Sequence, residues 1–214
     1  MKARDWIVIT MMAAFAFGLQ ACAKKPTPQD SCNFVQNSDM QRVSWGSQTP
    51  VIMYIDSSVP DKYNDAIRTA ADSWNKTVGH EVIKIGGTTS EGEQSLPNGT
   101  NVIYFQHDWD GPTTEQARTT IFWAGNRIYE AHVKINSRFR FFAGDNPVIG
   151  SLDMQSLVLH EFGHVLGLKH APTTPASPQS VMVPTLSGAT VVDENAAFRR
   201  IPSDFDTASV ACEY

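Results

Sequence analysis

The chain has 214 residues, with 17 lysines and arginines against 22 aspartates and glutamates, and a formal net charge of −5. This length suffices for one domain with a sizeable core, and we expect a monomer. Because no lysine- or arginine-rich stripe is present, nucleic acid is excluded as a partner. The sequence also lacks internal repeats and long low-complexity tracts.

The first 22 residues have the pattern of an export signal. Residues 1–4 carry two basic side chains, and Trp6–Leu19 is an apolar run. That run is too short for a membrane span and is typical of a signal-peptide core. The LQAC tetrapeptide at 19–22 resembles a bacterial lipobox, in which cleavage precedes the cysteine and the cysteine carries the lipid.

Processing at this tetrapeptide predicts a signal peptide at 1–21 and a lipidated N-terminus with a polar tether at 22–40. Lipid on Cys22 would hold the protein at a membrane surface without spanning the membrane. We therefore expect an exported lipoprotein of the bacterial cell envelope, attached to the outer membrane and facing the periplasm or the outside. Ordinary secretion after cleavage at a flanking alanine is the alternative.

Two cysteines, Cys32 and Cys212, remain after lipidation of Cys22. Exported proteins lie in oxidising compartments where disulfides persist, so we predict a Cys32–Cys212 disulfide between the start of the domain and its last helix. The loop that it closes stabilises the domain by about 4–5 kcal/mol in the chain-entropy model. Two free buried thiols are the alternative.

Apolar patterning in the first half of the main domain, which we place at 41–214, predicts strands around one helix. The helix has apolar residues three and four positions apart and is followed by Gly79, which suits a helix end. A stretch at 86–100, rich in glycine, serine and proline, predicts a loop. The strands are predicted at 51–56, 82–85 and 102–105, and the helix at 61–78.

The second half of the domain predicts a strand pair and two helices. Residues 119–123 and 127–135 are strand-like runs on either side of a short turn. Residues 151–166 have helical apolar spacing with Ser151 as the N-cap, and Ser203 is placed to cap a final helix. Strands and helices in this order predict an α/β (α+β) fold with a twisted sheet.

An eleven-residue run in the predicted helix, HEFGHVLGLKH, combines His160, Glu161, His164 and His170. Residues four apart lie on one face of a helix, so His160 and His164 can bind one metal ion. Gly167 suits the helix end because glycine adopts positive φ at little cost, and the chain can then turn back to deliver His170 as a third ligand. Glu161 can reach a water on the metal.

Three protein ligands with one open position are typical of a catalytic zinc ion, whereas structural zinc is usually closed by four ligands. One Zn²⁺ would lower the pKa of its water toward about 7 and polarise a carbonyl oxygen. Glu161 would take the proton from that water and pass it to the leaving amine. The pattern therefore predicts hydrolysis of a protein or peptide substrate. A buried helix with incidental histidines is the alternative.

The motif and a later turn resemble those of a known family. His160–His170 matches H-E-x-x-H-x-x-G-x-x-H, the metzincin signature, and Ser180–Pro184 resembles the methionine turn around Met182. Within the metzincins the likeness is to the matrixins, the group that contains matrix metalloproteinases and bacterial relatives. A weaker likeness extends over 41–80 and 201–214.

The resemblance implies a zinc metalloendopeptidase with a mixed sheet, an antiparallel edge strand beside the cleft and about three packing helices. Part of 119–136 is expected to supply that edge, to which a substrate peptide can add as a strand. Met182 is expected beneath the zinc as a packing residue without a chemical step. The stretch 184–200 is expected to form the outer wall of the substrate pocket. Apolar candidates for its lining, which could equally be ordinary packing, are Leu186, Val191, Val192 and Phe198.

Matrixins often bind further metal ions, but this sequence offers few ligands for them. The segment 107–111 is more typical of a polar turn, and Gly144–Pro147 is a weak candidate for Ca²⁺. A zinc-blocking role for Cys32 lacks the motif that such a cysteine needs. The local candidates for a second metal are His107, Asp108, Asp110 and His132.

Two other functions would use the same residues. A non-catalytic surface lipoprotein, such as an adhesin or scaffold, could keep zinc for stability, but it would not need Glu161 as a base. A zinc amidase that acts on cell-wall peptides is the second alternative, because the same zinc and base serve any amide.

Overall fold

The computed structural model describes residues 32–90, 97–172, 179–191 and 193–214, so the predicted signal peptide and Cys22 lie outside it. Within these ranges, no helix is long and apolar enough to cross a membrane. Short 3-10 turns lie at Asp61–Tyr63 and Glu194–Ala197. The other elements are β1 (Val51–Asp56), α1 (Asn64–Val78), β2 (Ile83–Thr89), β3 (Asn101–Gln106), β4 (Ala117–Ala124), β5 (Arg127–Asn136), β6 (Phe141–Phe142), β7 (Leu152–Asp153), α2 (Met154–Val165) and α3 (Asp204–Val210).

The main sheet has five strands in the order β2-β1-β3-β5-β4. The first four are parallel neighbours, and β4 runs antiparallel to β5 with Thr119 opposite Val133 and Ile121 opposite Ala131. β4 is therefore the antiparallel edge strand that the sequence predicted within 119–136. The mixed sheet with one antiparallel edge and three helices confirms the predicted fold class.

The core lies between one face of the sheet and the helices α1 and α2. Met53, Ile103 and Val133 point from three different strands into the same buried cluster as Trp74 of α1. The indole Nε1 of Trp74 donates to the carbonyl oxygen of Leu159 in α2 at 2.8 Å. This contact satisfies a buried donor and fixes α2, which carries the histidine motif, against α1.

Strand β2 is longer than the sequence predicted. It continues to Thr89, four residues into the predicted loop, because Gly86 forms a bulge between the pairs Met53–Ile85 and Tyr54–Gly87. A bulge absorbs one extra residue, so the edge strand can follow β1 to its end. Residues 91–96 of the predicted loop lie outside the described residues.

The predicted helix ends are present for α1 and α3. Gly79 follows α1 in the left-handed conformation with φ of 88°, and its N–H donates to the Asn75 carbonyl at 2.9 Å. Ser203 caps α3, where its side chain and that of Asp206 form a reciprocal capping box. The first turn of the predicted helix at 61–78 is a 3-10 turn instead of an α-helical turn.

The N-terminal segment 32–40, which the sequence placed in the tether, packs against the domain. Phe34 is 1% exposed, and Cys32 forms a disulfide with Cys212, with their Cα atoms 6.0 Å apart. This is the pairing predicted from the cysteine count. The buried ring and the covalent bond hold residues 32–40 to the body of the protein, so the predicted tether at 22–40 is too long.

Replacing Cys32 and Cys212 together by serine is expected to lower the free energy of unfolding by roughly 2–5 kcal/mol, because the bond closes a loop across a sequence separation of 180 residues. Urea unfolding of the mature chain measures this change. Both proteins are produced from residue 23 onward, so that Cys22 does not affect the comparison. Equal midpoints for the double variant and the wild type would contradict the prediction.

Candidate metal centre

Helix α2 begins at Met154 because Asp153 caps it, and the prediction that Ser151 is the N-cap is wrong. The Asp153 carboxylate accepts hydrogen bonds from the backbone N–H of Ser156 at 3.0 Å and from its hydroxyl at 2.6 Å. Arg200 donates to the same carboxylate through Nε and Nη2, each at 2.8 Å. The buried charge is thereby paired, and the start of the helix is fixed.

Gly167 ends the helical run, as the sequence predicted, and allows the chain to reverse. Its φ is 97°, and its N–H donates to the His164 carbonyl at 2.9 Å. A Cβ at this position would overlap the carbonyl oxygen of Val43, so glycine is required for space as well as conformation. The reversal brings His170 back to the helix.

The three predicted ligands meet at one point. His160, His164 and His170 each present a ring nitrogen, and these atoms all lie within 4.8 Å of one another. The Nε2 atoms of His160 and His164 are 3.1 Å apart. No other group of three or more histidine, cysteine, aspartate or glutamate side chains in the described part of the chain is arranged to hold a metal ion.

The hydrogen bonds at the back of two rings determine which nitrogen faces the centre. His160 Nδ1 lies 2.8 Å from the carbonyl oxygen of Val181, and His164 Nδ1 lies 2.7 Å from that of Leu168. A carbonyl oxygen only accepts, so each Nδ1 carries the proton and each Nε2 keeps a free lone pair. Two such lone pairs cannot hydrogen-bond to each other, and both are suited to one cation.

The donor set fits zinc. Zinc accepts imidazole nitrogens at about 2.0–2.1 Å in a tetrahedral arrangement, which separates neighbouring nitrogens by roughly 3.3 Å. The 3.1 Å between the Nε2 atoms of His160 and His164 is close to that separation. His170 would supply the third ligand from the chain reversal, and all three histidines line the cleft.

Burial keeps these imidazoles neutral. Desolvation lowers the pKa of His160 and of His164 to about 4 in each case, and it also lowers the pKa of His170. A neutral ring is the form that binds a metal ion, so the folded protein collects unprotonated ligands at neutral pH before any ion arrives.

Glu161 is only 3% exposed and shares the cleft with the three histidines. Its Oε2 accepts a hydrogen bond of 2.6 Å from the Thr119 hydroxyl on the edge strand β4. Burial raises the pKa of Glu161, whereas the nearby His164 and the Thr119 hydrogen bond oppose this rise. No local sequence pattern indicates a role for Thr119, because the pairing of β4 with β5 determines that its side chain reaches α2.

Met182, which the family resemblance places beneath the zinc, packs against the helix that carries the histidines. It is 1% exposed, and its side chain lies directly over Gly163 of α2. A Cβ on Gly163 would overlap the Met182 sulphur and come within 3.1 Å of Trp74. Position 163 is therefore glycine so that the methionine turn can approach the helix closely.

Asp206, which the sequence did not single out as a site residue, connects α3 to the methionine turn. Its carboxylate is fully buried and accepts from the Ser180 hydroxyl and from the Val181 N–H, the latter at 2.9 Å. Val181 is also the residue whose carbonyl orients His160. The sequence predicted the helix cap at Ser203. It did not indicate that Asp206, the partner of Ser203, also contacts the methionine turn.

The cleft over the histidines has a volume of about 490 Å³. β4 lines one side, and residues 183–186 line the other, with the Gln116 side-chain amide donating across to the Leu186 carbonyl at 2.9 Å. Of the predicted pocket residues, Leu186 lies in this wall, whereas Phe198 packs edge-on against Phe142. Val191 is 81% exposed. Val192 lies outside the described residues.

Several of the candidates for further metal ions are engaged in other contacts. Asp110 accepts from Lys134 at 2.7 and 2.9 Å, and buried His132 lies 2.6 Å from Glu130. At the predicted turn 144–147, Arg200 donates to the Asp145 carboxylate at 2.7 Å and takes the place of a cation. These contacts give no support to a calcium ion.

The sheet, the histidine helix and the methionine turn together define a metzincin-type metallopeptidase domain. The matrixin family model matches residues 49–204. The chain therefore belongs to the matrixin family, whose members are zinc-dependent metallopeptidases that act on proteins or peptides. A search of curated proteins finds no match.

Because the folded state holds His160 and His164 neutral, the metal-free protein is expected to lose stability in acid. Unfolded histidine titrates near pH 6.5 and the folded rings near pH 4, so the unfolded state binds more protons in between. From pH 7 to pH 5 the free energy of unfolding should fall by roughly 2–4 kcal/mol.

Urea unfolding of the metal-free Glu161→Gln variant tests this expectation without the opposing titration of the carboxylate, whose pKa burial raises. Adding His160→Gln should remove up to about half of the pH dependence, because one of the two rings with the largest lowering of pKa is then lost. A free energy of unfolding that is the same at both pH values would contradict the proposed burial of neutral ligands.

Proposed function

We propose that this protein is a zinc-dependent endopeptidase in which His160, His164 and His170 hold the ion and Glu161 is the general base. The observation that carries the proposal is the placement of a buried carboxylate beside three converging imidazole nitrogens in an open cleft. Family membership supports the metal and the reaction class. The geometry of Glu161 supports its individual role.

The cleft is suited to an extended peptide. β4 is the edge of the sheet, so its outer backbone groups are not paired with another strand of that sheet. A peptide can add to such an edge through main-chain hydrogen bonds and place alternate side chains in pockets. Residues 183–186 face β4 across the cleft and would enclose the other side of the peptide. An extended peptide bound along an edge is cut within its length, which favours endopeptidase activity.

In the chemical step, the proton is accepted by the Glu161 carboxylate oxygen that Thr119 does not bind. When bound, zinc lowers the pKa of a water molecule and polarises the scissile carbonyl. Thr119 holds Oε2 of Glu161, which leaves Oε1 to take a proton from the attacking water. The water oxygen bonds to the carbonyl carbon, and Glu161 returns the proton to the amide nitrogen as the C–N bond breaks. No nucleophilic serine or cysteine is needed.

Replacing Glu161 by glutamine is expected to lower kcat/KM by about 10²–10⁴ while leaving zinc bound, because the amide keeps the shape and cannot accept the proton. The assay is digestion of a broad peptide library by the mature chain, followed by mass spectrometry, with zinc measured by elemental analysis. Arg140→Ala, a change on the surface away from the cleft, is the matched control.

The same assay separates the alternatives. A non-catalytic lipoprotein would leave the library intact although zinc is bound, and a cell-wall amidase would cut isolated cell-wall peptides but not the library. Equal cleavage by the wild type and Glu161→Gln would refute the role of the base. Absence of zinc from the native wild-type protein would refute the metal centre itself.

We also propose that Cys22 carries lipid and attaches the protein to the bacterial outer membrane. The support is the apolar leader followed by the lipobox-like tetrapeptide at 19–22. A single acyl chain binds a membrane only marginally, so more than one chain is expected on the mature N-terminus.

Changing Cys22 to serine is expected to move the protein from the membrane fraction to the soluble fraction, because the acceptor for lipid is lost. Fractionation followed by mass spectrometry of the N-terminal peptide measures both effects. The Cys32→Ser variant, which lacks a different cysteine, should remain in the membrane fraction. An unmodified wild-type peptide that begins elsewhere than at Cys22 would contradict the proposal.

A further inference from the structure

His170 differs from the other two ligands in how it is held. His160 and His164 lie on α2, and each ring is also fixed by a hydrogen bond from Nδ1. His170 lies beyond the helix on the exposed side of the cluster, and among the described residues none forms a hydrogen bond with its ring. Its position therefore depends on the backbone on either side of it.

Both neighbours of His170 are anchored by the backbone. On one side, the N–H of Ala171 donates to the Met182 carbonyl at 2.7 Å. On the other side, the N–H of Lys169 donates to the Asn33 carbonyl at 2.8 Å, and the Asn33 side-chain amide donates to the Lys169 carbonyl at 2.9 Å. Asn33 thus holds both backbone polar groups of Lys169, the residue that precedes the ligand.

Asn33 is itself held in place by its neighbours. Cys32 is joined to Cys212, Phe34 is fully buried and pairs with Leu168 as an antiparallel bridge, and the Val35 N–H donates to the Gly167 carbonyl at 2.8 Å. We call residues 33–35 the N-terminal clamp. It runs antiparallel to 167–169, and Val35 also lines the cleft.

The residue type at position 33 suits this task. Asn33 has φ of 51°, in the left-handed region that asparagine tolerates better than most residues with a side chain. This conformation turns the backbone carbonyl and the side-chain amide toward the same partner, Lys169. Asn33 is 7% exposed, so little water competes for these hydrogen bonds.

We propose that Asn33 is a positioning residue of the metal centre, which sets zinc affinity by holding Lys169 and, through it, the third ligand His170. This inference rests on the proposed function only in taking the three histidines as the zinc site. Outer partners of metal ligands typically contribute 10–100-fold to affinity. Because Asn33 acts through the neighbouring residue, we expect an effect at the lower end, about tenfold.

The decisive variant is Asn33→Gly. Glycine adopts the left-handed conformation without strain and keeps the backbone bond to the Lys169 N–H, so only the amide donor is removed. Asn33→Asp is the second variant. The aspartate side chain keeps the shape of asparagine, but it has no N–H to donate and places a charge against the Lys169 carbonyl. It provides the same test if the glycine variant does not fold.

Asn37→Ala is the matched control. Asn37 lies in the same N-terminal segment, and its side chain accepts from the N–H groups of Asp39 and Gln41, so its loss weakens the segment away from the metal centre. Zinc dissociation constants are measured on the full mature chain by competition with a chromophoric chelator. The absorption spectrum of the cobalt-substituted protein reports the ligand geometry.

The expected result is zinc binding about tenfold weaker in Asn33→Gly, an altered cobalt spectrum, and Asn37→Ala within twofold of the wild type. His170→Ala, which removes the ligand itself, should bind zinc even more weakly than Asn33→Gly. Zinc affinity unchanged in Asn33→Gly, or lowered equally by Asn37→Ala, overturns the inference while leaving the proposed function intact. A wild-type protein that binds no zinc overturns the proposed function as well.

Discussion

The hydrogen bonds from Nδ1 of His160 and His164 to two backbone carbonyls determine whether the site can bind a metal ion at all. They fix the tautomer of each ring, so both free lone pairs point to one place. Their acceptors, Val181 and Leu168, belong to the methionine turn and to the chain reversal after α2. The ligand geometry is thus set from outside the helix that carries the two rings. Without these two loops, a correctly formed helix α2 would not orient the two rings for metal binding.

Two segments far apart in the sequence support those loops. Asp206 of α3 holds the methionine turn through the Val181 N–H, and the N-terminal clamp holds residues 167–169 beside His170. The Cys32–Cys212 disulfide joins the two supports. The disulfide that is expected to stabilise the global fold therefore also connects the two loops that orient the ligands. Stability and metal binding share one set of contacts in this protein.

The sequence predicted the parts of this structure that local patterns encode. Spacing of four residues identified His160 and His164, glycine at position 167 identified the helix end, and alternating apolar runs identified the strands. The predictions were wrong or incomplete where contacts between segments distant in the sequence determine the structure. Asp153 rather than Ser151 caps α2 because Arg200, far along the chain, pairs with it. Thr119 reaches Glu161 only through the sheet register. Both contacts depend on tertiary packing, which no local window contains.

Helix α3 follows every other described element in the order of synthesis, yet it supplies Asp206 to the methionine turn and leads directly to Cys212. A growing polypeptide that has emerged as far as His170 already contains all three histidines and Glu161, but the methionine turn, Asp206 and Cys212 have not been made. The contacts that orient His160 and connect the two loops would thus form late, after translation has passed α3 and oxidation has joined the cysteines. The candidate metal centre would in this way acquire its full set of supports only after the last helix of the domain has been made.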